Sequence, residues 1–292
     1  MPRSSSNRYL VNRRGFLASA ATLIGGTILV PSAPACTLVS EQEVGPYYID
    51  YEKVRHDLTE GKPGVPLRLR IALLNGNRCA PLADAAVDIW HCDAEGVYSG
   101  YTANSPDGRG QGGPRGWGFG PPPPGGPPPD GPGRPGFGPP RGMRATDNKR
   151  FLRGVQITDK RGVAEFATLY PGWYSGRAIH IHLKVHLGGA MANEKYAGGH
   201  VCHTGQLFFP EDLTESVAKL SPYAKRLDIH RTTQEEDHVF NDQNGAACMM
   251  KLERITAGSD AAGFTATVAL AVNPEATPAL VGGFGPGGPR PY

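Results

Sequence analysis

Hydrophobic positions along this chain recur with a period of two in short runs, the spacing of half-buried strands rather than of helices. The first run, residues 67–74, sets Leu67, Leu69 and Ile71 against Arg68 and Arg70, and similar runs follow at 86–91, 151–158, 163–169, 179–187, 206–209 and 264–272. Short strands at such intervals predict an all-β chain folded as an antiparallel β-sandwich with long loops and one or two short helices. Leu74-Asn75-Gly76-Asn77 and Asp159-Lys160-Arg161-Gly162 each lie between two runs and offer residues that tolerate positive φ, so both predict hairpin turns. One helix is predicted over 211–220, where Glu211 and Asp212 suit the positive end of a helix dipole.

Composition alters this picture at three places. The 40 Gly and 28 Pro exceed ordinary usage, and many fall in 103–146 and in the tail 282–292. Proline removes ladder donors and glycine adds entropy, so neither stretch belongs to a core. The first begins just after Tyr98 and ends just before a predicted strand, which makes it a loop inserted within one domain. Its Trp117, Phe119 and Phe137 either cover the mouth of a site or belong to a plain solvated insertion, the second being the default expectation for such a loop.

The amino terminus predicts a leader. Asn12-Arg13-Arg14-Gly15-Phe16-Leu17 precedes an apolar, Ala-rich run from Leu17 to Val30 and then Ala33-Pro34-Ala35. This order of basic region, apolar region and small-residue cleavage site resembles a twin-arginine export signal. The run of 14 residues falls short of the roughly 20 that span a bilayer, so no membrane span is expected. Residues 1–35 therefore predict export to the periplasm or beyond, with 36–292 as a single domain; a lipoprotein anchor on Cys36 is the lesser alternative.

Without its leader the chain carries 26 basic and 27 acidic residues, a charge of −1 with no Lys/Arg cluster. That lack of a concentrated basic patch argues against nucleic acid or an anionic membrane as partner. Besides Cys36, the cysteines are Cys79, Cys92, Cys202 and Cys248, an even number that predicts one or two disulfides in an oxidising compartment, with the pairing open. Burial as small hydrophobes is the alternative for any one of them.

The chemistry is concentrated in Tyr170-Pro171-Gly172-Trp173-Tyr174-Ser175-Gly176-Arg177-Ala178-Ile179-His180-Ile181-His182-Leu183-Lys184-Val185. On a strand His180 and His182 share one face while Ile181, Leu183 and Val185 enter the opposite layer, so two imidazoles form an edge suited to metal. A His-x-His pair alone is a weak signal. Read with the distant Trp90-His91-Cys92-Asp93-Ala94-Glu95-Gly96-Val97-Tyr98 and the segment Glu43-Val44-Gly45-Pro46-Tyr47-Tyr48, it resembles the intradiol ring-cleavage dioxygenases that act on catechol and protocatechuate.

That resemblance, over residues 41 to 210, implies a prealbumin-type sandwich and a non-haem iron(III) held by Tyr98, Tyr174, His180 and His182. It also carries Arg177 and Gln206 onto pocket positions, Arg177 as an electrostatic stabiliser. Iron(III) is hard and so is phenolate oxygen, whereas soft thiolates are absent from both segments. The implied reaction opens a catechol-type ring with dioxygen, placing both oxygen atoms in a muconate-type diacid, as in aromatic catabolism. By the same analogy Tyr174 is the tyrosinate that the substrate displaces.

Several residues have blander readings. Arg177 taken alone reads as a surface salt bridge, His91 as a structural hydrogen-bonding residue, and Glu235-Glu236-Asp237-His238 as a solvated loop with a calcium site as a remote alternative. Tyr47 and Tyr48 either line the pocket or pack the first strand. His186, His200 and His203 are weak rival ligands. The short Tyr174-to-His180 spacing, the Pro/Gly insertion and the absence of a preceding helical dimerisation segment depart from the best-known enzymes. These departures leave substrate and assembly, monomer or homo-oligomer, open; a shortened loop would suit bulkier catechols. Two other readings remain, a secreted binding module on the same scaffold without turnover, and the same site holding zinc or copper.

Overall fold

Leu67, Leu69, Ile71 and Leu73 are fully or almost fully buried on strand β1 (Pro66–Asn75), as their alternation with polar residues requires. The computed structural model describes residues 37–50, 53–104, 145–279 and 281. The leader 1–35, Cys36, residues 105–144 of the insertion with Trp117, Phe119 and Phe137, and the tail 282–292 lie outside the described residues.

β1 is the hub of one sheet. Along one edge it pairs antiparallel with β2 (Ala80–Pro81) and β5 (Val163–Leu169); along the other it runs parallel to β9 (Ser259–Val272), which pairs antiparallel with β8 (Lys251–Thr256). A second sheet, antiparallel throughout, has the order β4 (Arg153–Ile157), β3 (Ala86–Trp90), β6 (His180–Ala192), β7 (Lys195–Phe208). Val87 and Ile89 of β3 and Ile181, Leu183 and Val185 of β6 join the β1 side chains, Phe166 and Phe264 in one core. Each such side chain contributes about 1.5–3 kcal/mol by leaving water. Because side chains alternate, filling that core from Ile181 and Leu183 turns His180 and His182 to the opposite face of the sheet. There a second, aromatic cluster of Tyr47, Trp90, Cys92, Tyr98, Tyr101 and Tyr174 covers them.

The all-β sandwich is as expected, with helices α1 (Glu211–Ala218) and α2 (His238–Asp242). Among the described residues no helix is long and apolar enough to cross a membrane. Several local expectations change. The β1–β9 pair is parallel, which a long crossover connection permits. Asp159-Lys160-Arg161-Gly162 is a tight turn but no hairpin: β4 pairs with β3 and β5 with β1, so the turn carries the chain from one sheet to the other. Most of β7 and all of β8 went unpredicted, since Gly198 and Gly199 interrupt the first and the second is polar and exposed on both faces.

The cysteine expectation is corrected. Cys79 is disulfide-bonded, but Cys92, Cys202 and Cys248 are buried thiols outside any disulfide, so no pairing among those three exists. Cys202 and Cys248 pack in the main core, where burial pushes each thiol up to about 12. At the base of the insertion the two chain ends are clasped: the Thr146 amide donates to Gly100 O at 2.7 Å, and Asp147 accepts from the Thr102 amide at 2.9 Å.

Candidate active site

Four side chains converge on the covered face of the second sheet. Tyr98 Oη lies 3.4 Å from Tyr174 Oη, Tyr174 Oη 3.3 Å from His180 Nε2, and His180 Nε2 3.0 Å from His182 Nε2. All four are buried, Tyr174 the least so at 9% exposed. The histidines are adjacent on β6; the tyrosines come from two loops pressed together. A Cβ on Gly172 would stand 2.5 Å from Ala94 O, so only glycine lets the Pro171-Gly172-Trp173 turn meet the loop after β3. The Gly172 amide donates to Asp93 O at 3.0 Å and fixes that contact.

The segment Glu43–Tyr48 roofs the site. Gly45 (φ +68) passes over His182, and Tyr47 stacks on Tyr98 with ring centroids 4.4 Å apart. Tyr48 donates to Asp88 Oδ2 at 3.0 Å and packs on Trp90. Trp90 in turn lies flat on His182, 4.9 Å between centroids and 2° between planes. Of the two readings of Tyr47 and Tyr48, the packing against site residues is what is observed.

Burial sets the protonation states. His180 and His182 are held well below the usual imidazole range, by desolvation first and then by Arg177 for His180 and by His180 for His182. Both rings are therefore neutral with lone pairs to offer. His180 Nδ1 lies 2.6 Å from Ala178 O, so that nitrogen carries the proton and Nε2 is the bare one, facing Tyr174 and His182. Tyr98 and Tyr174 are pushed far above the ordinary phenol range by burial; for Tyr98 the neighbouring Tyr174 adds to it, while Arg177 partly opposes it at Tyr174. Neither phenol ionises by itself in this pocket. A multivalent cation among the four donor atoms would reverse that preference and engage the Nε2 lone pairs of both imidazoles. The donor set, two hard oxygens and two imidazole nitrogens, fits iron(III). Among the described residues no cluster of three or more His, Cys, Asp or Glu side chains is positioned for a metal, and a tyrosine-containing set is not of that kind.

Arg177 is 5% exposed, so its salt bridges are buried rather than superficial. Its Nε meets both oxygens of Asp237 at 3.2 Å, Nη1 meets Glu43 Oε1 at 3.3 Å, and Nη2 donates to Gln206 Oε1. Burial works against the guanidinium charge, and Tyr174, Asp237 and Glu43 overcome it. Gln206 is tied from its other end, Nε2 donating to Glu43 O at 2.8 Å. Asp237 is the residue the sequence reading missed: it is fully buried, caps α2 and serves the site, so the stretch 235–238 is not simply a solvated loop. Its only sequence signal is a capping residue before an apolar Val-Phe pair. Trp90 and Gly45, within the quoted motifs, also have contacts that no residue count foretells.

The remaining histidines are occupied elsewhere. His91 bonds Cys92 O and Thr168 Oγ1, each at 2.8 Å, and burial lowers it to about 4, the structural role expected of it. His203 Nδ1 pairs with Glu41 at 2.6 Å, His200 Nε2 donates to Pro274 O, and His186 lies 4.0 Å from Asp88. None reaches the four-donor centre.

No protein-family model and no curated protein matches the chain. Among solved structures, an intradiol ring-cleavage dioxygenase from Tetranychus urticae aligns over 84% of this chain and 98% of its own, with 29% identity and a TM-score of 0.64. A second dioxygenase structure aligns with the same figures. The dioxygenase domain of a carbohydrate-binding fusion protein from the cellulolytic bacterium Streptomyces sp. SirexAA-E aligns over 80% of this chain and 97% of its own, at 22% identity and a TM-score of 0.46.

Proposed function

Since the chain belongs with the intradiol ring-cleavage dioxygenases, we propose that it opens catechol-type rings with dioxygen at a non-haem iron(III) held by Tyr98, Tyr174, His180 and His182, giving a muconate-type diacid. The observation that carries this is the chain of contacts from Tyr98 Oη through Tyr174 Oη and His180 Nε2 to His182 Nε2, none longer than 3.4 Å, in a buried pocket. Iron(III), when bound, supplies the Lewis acidity that ionises phenols and ring diol and makes the ring reactive towards dioxygen.

The chain's own residues do the rest. With iron bound, Tyr98, the more deeply buried phenol, would serve as an oxygen donor, while Tyr174, the more exposed of the two and by analogy with the family the one to give way to the diol, would take up one of the two diol protons at Oη. The neutral imidazoles contribute nitrogen lone pairs without adding charge. Arg177, beside Tyr174, stabilises negative charge that develops on ring and oxygen, an effect worth a few kcal/mol of barrier, roughly 3, in a dry site. Gln206 holds the guanidinium at its Nη2 edge. Trp90, Tyr47 and Tyr48 exclude water above the rings. We assign the same protein an exported location, on the strength of Arg13-Arg14 and the apolar run that follows, and a single catalytic domain over 36–292.

Metal analysis with a visible spectrum tests the reading. Purified protein should contain one equivalent of iron and be red from tyrosinate-to-iron(III) charge transfer, with a band that moves when catechol is added. Colourless protein holding zinc or copper, or iron-loaded protein that leaves catechol, protocatechuate and hydroxyquinol intact, overturns it.

A further inference from the structure

Asp237 is the one carboxylate with no exposure among the described residues around the site, and each of its oxygens has more than one donor. Oδ1 accepts from the Val239 amide at 2.8 Å and from the Phe240 amide, capping α2, and also faces Arg177 Nε. Oδ2 accepts from Arg177 Nε at 3.2 Å and from the Ala178 amide at 2.7 Å. Ala178 is the residue whose carbonyl takes the Nδ1 proton of His180. One carboxylate therefore grips two consecutive residues, of which the first aims a guanidinium and the second sets which nitrogen of His180 is bare.

The geometry points to Asp237 as a positioning residue that fixes both the direction of the Arg177 guanidinium and the tautomer of His180, from a loop some 60 positions away in sequence. This inference rests on the proposed iron-dependent function. Among the described residues nothing else in contact performs both tasks: Glu43 and Gln206 reach only the Nη atoms of Arg177, and neither bonds Ala178. The arrangement is that of an outer partner orienting a ligand through its second nitrogen, here relayed through one peptide unit, and such partners are typically worth about 10- to 100-fold in metal affinity or activity. A carboxylate is required because both oxygens have to accept while opposing a buried positive charge; an amide presents an N–H on one side where the Ala178 N–H or Arg177 already points.

Asp237→Asn separates this role from helix capping, because its remaining carbonyl oxygen can still accept from Val239 and Phe240. Asn241→Ala is the comparison: it removes hydrogen bonds to Gln234 O, Glu235 O and Asp237 O that shape the same loop, but leaves the Asp237 carboxylate in place. The full-length protein and both variants are iron-loaded and compared for melting temperature, iron retained against a chelator, the energy of the charge-transfer band, and kcat and KM for catechol. The expected result for Asp237→Asn is a shifted band, faster iron loss and a kcat lowered about 10- to 100-fold with a smaller change in KM, at a melting temperature close to that of Asn241→Ala. Asn241→Ala should keep the parent's band and kcat. Should Asp237→Asn match Asn241→Ala in band, iron retention and kcat, Asp237 is merely structural and the inference is overturned. Parent protein that neither binds iron with a visible band nor opens catechol overturns the functional reading instead, whatever the variants do.

Discussion

Gly45 crosses His182 so closely that a β-carbon placed on it would stand 3.0 Å from His182 Cε1, with the backbone at φ +68. The segment that begins the domain is therefore part of the site's wall, and its glycine answers to a ring as well as to a turn. Gly45→Ala should cost about 1–2 kcal/mol through the left-handed backbone alone. It should also push His182 from its place against Trp90. We expect a modest drop in melting temperature with a disproportionate loss of iron, measured by thermal melts and metal content on the same sample; a variant with full iron and parental kcat would contradict the contact's importance.

Tyr98→Phe removes one of the two phenol oxygens of the four-donor centre. Iron affinity should fall by more than the roughly 10- to 100-fold typical of an outer-shell change, and the red colour should weaken or vanish. Metal titration followed at the visible band measures both.

Arg177→Lys keeps the charge but loses the planar fork that meets Asp237, Glu43 and Gln206 together. The three contacts cannot then all be kept, and breaking a buried pair costs about 3–5 kcal/mol when one partner is wholly removed, so less is expected here. The larger expected effect is on kcat rather than KM, read from steady-state kinetics with catechol.

The pH dependence of stability follows from the buried imidazoles. His91, His180 and His182 all titrate below their unfolded range, so below about pH 6.5 the unfolded chain binds more protons than the folded one and acid favours unfolding. For His91 the contribution is complete above about 6.5 and is lost as pH falls towards its folded value of about 4, roughly 3 kcal/mol over that span. Metal-free protein should therefore melt at steadily lower temperature between pH 7 and pH 4, and His91→Asn should flatten part of that slope. A melting temperature independent of pH in this range would refute it.

Much of this molecule is legible along the chain because it is governed by local period. The alternation at 67–74 and 179–187 already divides each run into a core face and an opposite face, and in the fold Leu67 and Ile181 enter the core while His180 and His182 do not. The two tyrosines, the His-x-His pair, Arg177 and Gln206 could be chosen from motif alone, and the structure brings all six together. Local pattern failed where a residue's meaning depends on a distant partner. Asp237 reads as one acid among several until it is seen beneath Arg177; β4 and β5 look like a hairpin until their partners are known; Cys92, Cys202 and Cys248 look available for pairing until they are found buried as thiols outside any disulfide.

Sequence by itself determined the strand period and the layer each side chain enters, because these are fixed by backbone geometry within a few residues. Only the tertiary structure decided which loops meet, that Glu43 and Asp237 both reach one guanidinium, and that a peptide unit relays Asp237 to His180. Those contacts join residues up to 134 positions apart, and they arise from the burial of two sheet faces at once, which no local pattern encodes.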